Sequence, residues 1–390
     1  MKGINIGCTS SKIKYGNRLD TSIVEIDSNA CISGLFTSNN FKSAPVQICI
    51  KKLNKGIKGK KILAINAGNA NAGTGSQGIK DAETLISQLS KNLKVKPENI
   101  LPFSTGVVGE LLDVEALKKA FNTSFNNLGT NSWRDLADAI MTTDTKKKLI
   151  TFKGKIGSKK YSIVGIAKGV GMIEPNMATT LSYVFTDLKI PEKTLKKIHK
   201  RICDLSFNAL SIDGDQSPSD SSILVATGAS KIKVTNNENK IEKELLNVFS
   251  KLAKKLILDG EGATKLINIC VKGLPSKNLC EVVARKVANS SLVKTAAYGE
   301  DPNWGRIIVA AGNSEIRNFD INQLTLKIGK TSVFKNGSLA KGYKESQGRK
   351  EFKKKTIDIE ISLGKTKNFF NVITSDLSHE YVSINSDYRS

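Results

Sequence analysis

Strand-like and helix-like segments follow one another along this chain without regular alternation. Alternating or continuously apolar runs predict strands, and apolar residues spaced three and four apart predict helices. The predicted strands are 22–26, 30–36, 61–66, 148–152, 161–167, 179–185, 222–226 and 266–271, with mostly strands after Leu324. The predicted helices are 81–93, 114–125, 133–141, 191–206, 241–258 and 278–293. Because a doubly wound parallel sheet needs strict β–α alternation, we predict an α/β (α+β) layered sandwich, with inner sheets covered by outer helices.

The size and composition of the chain favour a folded protein with more than one core. A chain of 390 residues exceeds what a single hydrophobic core ordinarily supports. Hydrophobic residues make up 39% and charged residues 25%, which is typical of a globular protein. We find neither a bilayer-spanning apolar run nor the apolar core of a signal peptide. We therefore expect a cytoplasmic protein without a membrane partner.

The net charge of +24 comes mainly from lysine. Short lysine clusters at 51–61, 146–148 and 353–355 are interpreted as solvated surface. Surfaces that bind nucleic acid ordinarily combine arginine with stacking aromatic side chains, so we expect no specific nucleic-acid partner. The charge can still attract acidic metabolites. A basic nucleic-acid-binding protein is kept as an alternative.

Cysteine and histidine give little support to a metal site or to a histidine-dependent hydrolase. The six cysteines form no C-x-x-C pair and lie among apolar neighbours, which is typical of buried free thiols. The two histidines, His199 and His379, are far apart in the sequence. Zinc sites built on His and Cys, and Ser–His or Cys–His hydrolases, both depend on imidazole.

One threonine stands in a setting that suits an N-terminal nucleophile. The segment Lys168-Gly-Val-Gly-Met-Ile-Glu-Pro-Asn-Met-Ala-Thr-Thr-Leu-Ser182 places Thr179 after a small Ala178, between a Gly- and Pro-containing loop and a strand-like run. A hydroxyl is a weak nucleophile, but cleavage before it would make its own α-amine the general base. An α-amine has a pKa of roughly 7.7–8.0, which suits that role. Taken alone, the segment fits equally well with a threonine that begins a strand.

This segment resembles the self-cleavage site of the ornithine acetyltransferases (glutamate N-acetyltransferases, the ArgJ family). The family pattern is close to K-G-x-G-M-I-x-P-N-M-A-T-M-L, with Glu174 here where Ala is common and Thr180 where Met is common. Further blocks match in the family's order. They are Asn66-Ala-Gly-Asn-Ala-Asn-Ala-Gly-Thr-Gly75, Ser104-Thr-Gly-Val-Val-Gly-Glu110, Met141-Thr-Thr-Asp-Thr145, Asp259-Gly-Glu-Gly-Ala-Thr-Lys265, Tyr298-Gly-Glu-Asp-Pro-Asn-Trp-Gly-Arg306 and Tyr381-Val-Ser-Ile-Asn-Ser-Asp-Tyr388.

The resemblance implies a self-cleaving acetyltransferase with an ArgJ/DmpA-like N-terminal-nucleophile fold. Cleavage between Ala178 and Thr179 would give an α chain, 1–178, and a β chain, 179–390, in an α2β2 heterotetramer. The acetyl group would pass from N2-acetylornithine to glutamate through an acetyl-threonine enzyme, in a ping-pong reaction of arginine biosynthesis. Some family members also use acetyl-CoA to acetylate glutamate. The family needs no metal and no bound organic cofactor.

The resemblance also implies the residues of the site. Thr179 is the nucleophile, and Thr105 and Gly106 form the oxyanion hole. The substrate-binding positions are Thr142, Lys168, Thr179, Glu261, Asn385 and Ser390, the last standing where the family commonly ends in Thr. Lys168 suits a substrate carboxylate, and Glu261 suits the δ-ammonium of ornithine. Each position also has an ordinary structural explanation, such as a turn, a helix cap or a solvated charge.

One block departs from the family pattern. Asp213-Gly-Asp-Gln-Ser-Pro-Ser-Asp220 stands where D-G-D-T-S-T-N-D is usual, so Gln216, Pro218 and Ser219 are changes. If this loop contacts the acceptor, substrate preference would differ. The G-x-G-x-x-G match at 73–78 is a weak signal for nucleotide binding, because its first Gly follows the predicted strand too distantly. A hydrolase of the same fold, releasing acetate or cutting a peptide, is the nearest alternative.

Overall fold

The computed structural model describes residues 1–174, 180–235, 237–317 and 319–387. The strands are β1 (Ile4–Thr9), β2 (Thr21–Ile26), β3 (Cys31–Phe36), β4 (Lys61–Asn69), β5 (Ile100–Val107), β6 (Lys148–Ile156), β7 (Lys159–Lys168), β8 (Leu181–Thr186), β9 (Ser221–Ala226), β10 (Leu266–Lys272), β11 (Thr325–Ile328), β12 (Thr331–Lys335), β13 (Ser338–Leu339), β14 (Thr356–Ser362) and β15 (Phe369–Ser375). The helices are α1 (Ala44–Lys55), α2 (Gly75–Leu93), α3 (Val114–Asn126), α4 (Trp133–Ala139), α5 (Glu192–Asp204), α6 (Glu238–Leu258), α7 (Lys277–Ala288), α8 (Ser291–Tyr298), α9 (Trp304–Gly312), α10 (Glu345–Phe352) and α11 (His379–Asp387).

Two sheets pack face to face and share a hydrophobic core. One has the strand order β1-β2-β4-β5, and the other has the order β3-β9-β8-β7-β6. The side chains between them include Phe103 and Tyr183, whose rings meet edge to face with centroids 5.4 Å apart. Strands β8 and β9 are buried along their whole length. This explains their continuous apolar character, since both faces of the sheet are covered.

Helices cover the outer faces of these two sheets. Leu85 and Leu89 of α2 and Phe121 of α3 pack on the first sheet. Helices α5 and α6 cover the second sheet, and α6 lies so close to β7 that a Cβ at Gly165 would be 2.8 Å from the side chain of Leu252. The resulting layers are helix, sheet, sheet and helix, so the predicted layered sandwich is confirmed.

A third sheet has the order β13-β12-β11-β14-β10-β15. Strand β10 runs parallel to β14 and antiparallel to β15. Its apolar residues alternate toward one face, where helices α7, α8 and α9 cover them. Strands β14 and β15, which lie after Leu324, show the same alternation, so the strands predicted there belong to a sheet that is covered on one face.

The structure corrects several predicted elements. The single helix predicted over 278–293 is two helices, α7 and α8, because the Ser290 hydroxyl accepts a hydrogen bond from the Val293 amide and begins a new helix. Helices α10 and α11 interrupt the strands expected after Leu324. Elements β1, α1, β5 and α9 have no counterpart among the predictions. Thr179, predicted to begin a strand, lies outside the described residues, and β8 begins at Leu181.

All six cysteines lie within the described residues and are free; four are buried as predicted, whereas Cys31 and Cys270 are only partly buried. Burial raises the pKa of Cys8 and of Cys203 to about 12, so both are thiols at neutral pH. Within the described ranges, none of the helices combines the length and the apolar character that crossing a bilayer requires.

Candidate active site

A cleft forms where strands of the two central sheets end. Thr105 and Gly106 lie near the C-terminal end of β5, and Lys168 is the last residue of β7. The loop after α4 contributes Thr142, and the loop after α6 contributes Glu261. The rest of the lining is Ala70, Val108, Thr143, Gly169, Val170, Gly171, Met172, Thr180, Leu181, Ser217, Pro218, Ser219, Asp220 and Asn385.

Lys168 joins two parts of the cleft. Its Nζ donates to Thr142 Oγ1 at 2.7 Å and to Thr105 Oγ1 at 3.1 Å. The residue is only 8% exposed, which excludes the interpretation of a solvated surface lysine. Burial lowers the pKa of Lys168, while Asp144 acts in the opposite direction and Lys148 in the same one. The balance leaves the pKa below the ordinary value for lysine.

The backbone at Gly106 admits only glycine. Its φ is +131°, and an added Cβ would lie 2.3 Å from the carbonyl carbon of Gly68 on β4. The register between β4 and β5 shifts next to this pair, at Asn69. Bulges of this kind re-aim side chains at the ends of sheets. Here the irregularity lies beside Thr105, whose hydroxyl accepts a hydrogen bond from Lys168 at the cleft.

Glu261 links the loop after α4 to helix α11 at the cleft. Its carboxylate accepts hydrogen bonds from Thr143 Oγ1 at 3.2 Å and from Asn385 Nδ2 at 2.9 Å. Its amide donates to the Val170 carbonyl at 2.9 Å. A Cβ at Gly171 would lie 2.5 Å from the Glu261 carboxylate, so glycine leaves room for the charge. Glu261 is thus a fixed acceptor in the cleft rather than an exposed loop acid.

A buried ion network supports the cleft. Lys148 Nζ lies 2.5 Å from both Asp144 Oδ1 and Asp259 Oδ2, and its side chain is 1% exposed. Asp144 also accepts from the amides of Gly169 at 2.8 Å and Thr142 at 3.1 Å. The interpretation of the lysine clusters as solvated surface is therefore wrong for Lys148, and it is also wrong for Lys61 of the 51–61 cluster, which is 3% exposed. The network ties the loop after α4 to the loop after α6.

The charges of this network hold Asp144 ionised. Burial by itself would raise its pKa, but the neighbouring Lys168 and Lys148 outweigh that effect and leave the pKa below its ordinary value. Asp259 accepts further hydrogen bonds from the amides of Thr145 and Lys146, both at 3.2 Å. No sequence pattern indicated this pairing, although both aspartates lie in blocks that resemble the family.

Asp220 is a further buried acid at the cleft. It is 2% exposed, and its carboxylate accepts a hydrogen bond from the amide of Thr180. Burial raises the pKa of Asp220 well above its ordinary value. Asp220 belongs to the block that departs from the family pattern, and Pro218 and Ser219 of that block also line the cleft.

The structure brings together six of the residues predicted for the site. Thr105, Gly106, Thr142, Lys168, Glu261 and Asn385 all line this cleft. The predicted cleavage residues Ala178 and Thr179, and the predicted substrate-binding Ser390, lie outside the described residues. The roles of all these residues remain predictions.

Comparison with known proteins decides the family. The sequence profile of the ArgJ family matches residues 5–390. The chain belongs to the ArgJ family. A relative from Colwellia psychrerythraea, the arginine biosynthesis bifunctional protein ArgJ, is 41% identical over 409 residues, covering 100% of this chain and 96% of the relative. The predicted family is confirmed, and so is the prediction that the chain is an enzyme of it.

Solved structures of ArgJ proteins are also similar. The arginine biosynthesis bifunctional protein argJ from Bacillus halodurans is 31% identical, with a TM-score of 0.51, and the match covers 53% of this chain and 98% of that one. Ornithine acetyltransferase from Mycobacterium tuberculosis, solved with ornithine, is 25% identical with a TM-score of 0.39, covering 45% of this chain and 93% of that one.

Proposed function

We propose that this ArgJ-family protein moves the acetyl group of N2-acetylornithine to glutamate, giving ornithine and N-acetylglutamate. The observation that carries the proposal is the cleft in which the Lys168 ammonium and the Glu261 carboxylate are both held by hydrogen bonds. A fixed cation and a fixed anion suit amino-acid substrates, which carry both charges themselves. The relative that is 41% identical is named a bifunctional protein of arginine biosynthesis, which supports a role in that pathway.

Self-cleavage between Ala178 and Thr179 frees the α-amine that activates the nucleophile, Thr179 Oγ. The bond from Thr179 Oγ to the Ala178 carbonyl carbon forms as the peptide C–N bond breaks, and the hydroxyl proton passes to the released amine. Water then hydrolyses the ester and frees a chain 1–178 and a chain 179–390. The exposed α-amine serves as the general base for turnover.

Turnover runs in two acetyl transfers. Thr179 Oγ attacks the acetyl carbonyl of N2-acetylornithine, its proton passes through the α-amine to the leaving nitrogen, and ornithine departs from an acetyl-threonine enzyme. The amine of glutamate then attacks that ester, and N-acetylglutamate leaves with the hydroxyl restored. Some members of the family also accept acetyl-CoA, and we propose it as a second acetyl donor.

The residues of the cleft have distinct roles in this reaction. Thr105 and Gly106 stabilise the oxyanion, a role in which the loss of one donor typically costs about 2.7–4 kcal/mol. Lys168 binds a substrate carboxylate and lowers the pKa of the Thr179 amine by its charge. Glu261 receives the δ-ammonium of ornithine, with Thr142, Asn385 and Ser390 as further substrate contacts.

The second sheet supports lasting association of the two cleavage products. Its order β3-β9-β8-β7-β6 places strands of 179–390 between strands of 1–178. Strand β8 pairs with β7 over Leu181–Thr186, so the products share main-chain hydrogen bonds and a core. We extend the proposal to the α2β2 assembly, to residence in the cytoplasm and to catalysis without a bound cofactor.

An acetyl-trapping experiment tests this function. Purified protein is incubated with N2-acetylornithine alone, and the intact mass of each chain is then measured. We expect the 179–390 chain to gain one acetyl group and to lose it when glutamate is added, with N-acetylglutamate formed in equal amount. Release of acetate at the same rate with and without glutamate would instead establish the hydrolase.

A further inference from the structure

One loop contacts the chain on both sides of the residues 175–179. This loop, residues 210–220, leads into β9 and will be called the 210–220 loop. On the upstream side, the Asp213 carboxylate accepts from the amides of Met172 at 2.6 Å and Ile173 at 2.8 Å. The Asp215 carbonyl accepts from the Glu174 amide at 2.8 Å. The upstream segment is therefore held through its backbone as far as Glu174.

The same loop holds the downstream side through Asp220. The Thr180 amide donates to the Asp220 carboxylate, and the Thr180 carbonyl accepts from the Ser221 amide at 2.8 Å. The loop is itself anchored, because the Asp220 carbonyl accepts from the Thr37 amide at 3.0 Å. A buried, anchored carboxylate can fix the position of the peptide that it contacts.

The backbone held in this way is strained on both sides. Met172 has a φ of +53° and Thr180 a φ of +84°. A positive φ is a genuine outlier for a β-branched residue such as threonine, and it persists only where the surroundings impose it. The Thr180 hydroxyl is also buried without a hydrogen-bond partner among the described residues. Thr180 therefore sits in an unfavourable conformation directly after the proposed nucleophile.

We propose that Asp213 and Asp220 are positioning residues for self-cleavage, and that the strain at Thr180 favours the cut chain over the uncut one. The inference rests on the proposed cleavage between Ala178 and Thr179. Asp213 and Asp220 fix the two ends of the span that contains this bond. A chain end created one residue before Thr180 lets its backbone relax, so the strain raises the free energy of the uncut precursor alone.

The first test compares the rates at which newly made full-length chains cleave. Chains are synthesised in a cell-free system, samples are quenched in acid, and the uncut fraction is read from intact masses. Asp220→Ala leaves the buried Thr180 amide unpaired, so we expect cleavage at least about tenfold slower. Asp220→Asn keeps an acceptor oxygen and should stay within about threefold of wild type. Asp213→Ala should be slow as well.

The second test removes the strain and leaves both aspartates in place. Glycine adopts a positive φ without steric strain, so Thr180→Gly should slow cleavage and, in a Thr179→Ala background, raise the unfolding temperature of the uncut chain if the relieved strain exceeds the entropy that glycine loses on folding. Lys231→Gly is the matched control, because Lys231 has a φ of +59° and is exposed, away from the cleft. It should raise the unfolding temperature without changing the cleavage rate.

These outcomes separate the inference from the proposed function. If wild type cleaves and the Asp213→Ala, Asp220→Ala and Thr180→Gly chains cleave at its rate, the positioning role is wrong while the acetyltransferase proposal stands. If Asp220→Asn is as slow as Asp220→Ala, the carboxylate does more than accept a hydrogen bond and positioning alone is excluded. If the folded wild type stays uncut, the proposed function itself fails.

Discussion

At the scale of single residues, Lys168 keeps an ammonium group where burial opposes the charge. Its partners at the cleft are two hydroxyls, those of Thr105 and Thr142, which accept hydrogen bonds but carry no charge. Asp144 offsets this charge in part, but the described residues give the ammonium only hydroxyls as hydrogen-bond partners, so it can still bind an anion. A substrate carboxylate or a developing oxyanion can supply that charge.

Replacement of Lys168 by methionine tests this role. The variant keeps most of the volume and loses the charge, so we expect kcat/KM for acetyl transfer to fall about 10²–10³-fold. Lys61→Met is the control, because Lys61 is also buried but donates to the carbonyls of Ser28 and Gly59 outside the cleft. The measurement is kcat/KM of both cleaved variants. Equal losses of kcat/KM in the two would count against a specific role of Lys168 at the cleft.

At the scale of elements, the loops after α4 and α6 depend on one buried lysine. Lys148→Met would remove the cation that the buried carboxylates of Asp144 and Asp259 both contact, and would leave only Asp144 with a neighbouring lysine, Lys168. Breaking a buried ion network in this way typically costs 3–5 kcal/mol, so we expect a loss of about 3–5 kcal/mol in the free energy of unfolding. Urea unfolding of the Thr179→Ala precursor, with and without the second change, measures it.

The control for this change is a surface ion pair. Lys60 contacts Glu25 at 2.9 Å, and the Lys60 side chain is 42% exposed. Replacement of Lys60 by methionine should lower the free energy of unfolding by less than about 1 kcal/mol. If Lys148→Met lowered the free energy of unfolding no more than Lys60→Met does, the buried network would not be what holds the two loops.

Helix α5 packs a neutral histidine against the second sheet. Both ring nitrogens of His199 contact hydroxyls, Ser33 Oγ at 2.9 Å and Ser222 Oγ at 3.0 Å. Burial lowers the pKa of His199 from 6.5 to about 3. The unfolded chain therefore binds a proton that the folded chain does not between these values, and stability falls as the pH drops below about 6.5.

This histidine predicts a measurable slope of stability against pH. Each pH unit inside that window changes the free energy of unfolding by about 1.4 kcal/mol. His199 should therefore lower the free energy of unfolding by about 2 kcal/mol between pH 6.5 and pH 5. Urea unfolding of the uncleavable Thr179→Ala chain at these two pH values, with and without His199→Asn, isolates the contribution. An equal pH dependence in both chains would refute it.

Sequence patterns predicted the structural features that depend on residues close together in the chain. The apolar spacing of α2, α3 and α6 was accessible in this way, whereas Gly106 and Lys168 were indicated only by the resemblance of their motifs to the ArgJ family. Lys148 was not, because its partner Asp259 lies 111 positions away and nothing local distinguishes it from a surface lysine. Helix α9 was missed because it begins within the polar stretch 301–306. Contacts between distant segments require the fold.

At the scale of the whole molecule, the site is shared between the two proposed chains. Thr105, Thr142 and Lys168 belong to 1–178, whereas Glu261 and Asn385 belong to 179–390. The two proposed chains share one hydrophobic core, since the second sheet places β8 and β9 of 179–390 between β3 and β7 of 1–178. The proposed cleavage would therefore not separate the residues that line the cleft.

The proposed mechanism depends on self-cleavage of the chain before Thr179. The most direct measurement is the intact mass of the purified protein under denaturing conditions, taken beside that of a Thr179→Ala variant. Our account predicts two chains for the wild type, 1–178 and 179–390, and one uncut chain for the variant. A single uncut mass for a folded wild type, or cleavage at the same bond in the variant, would contradict it.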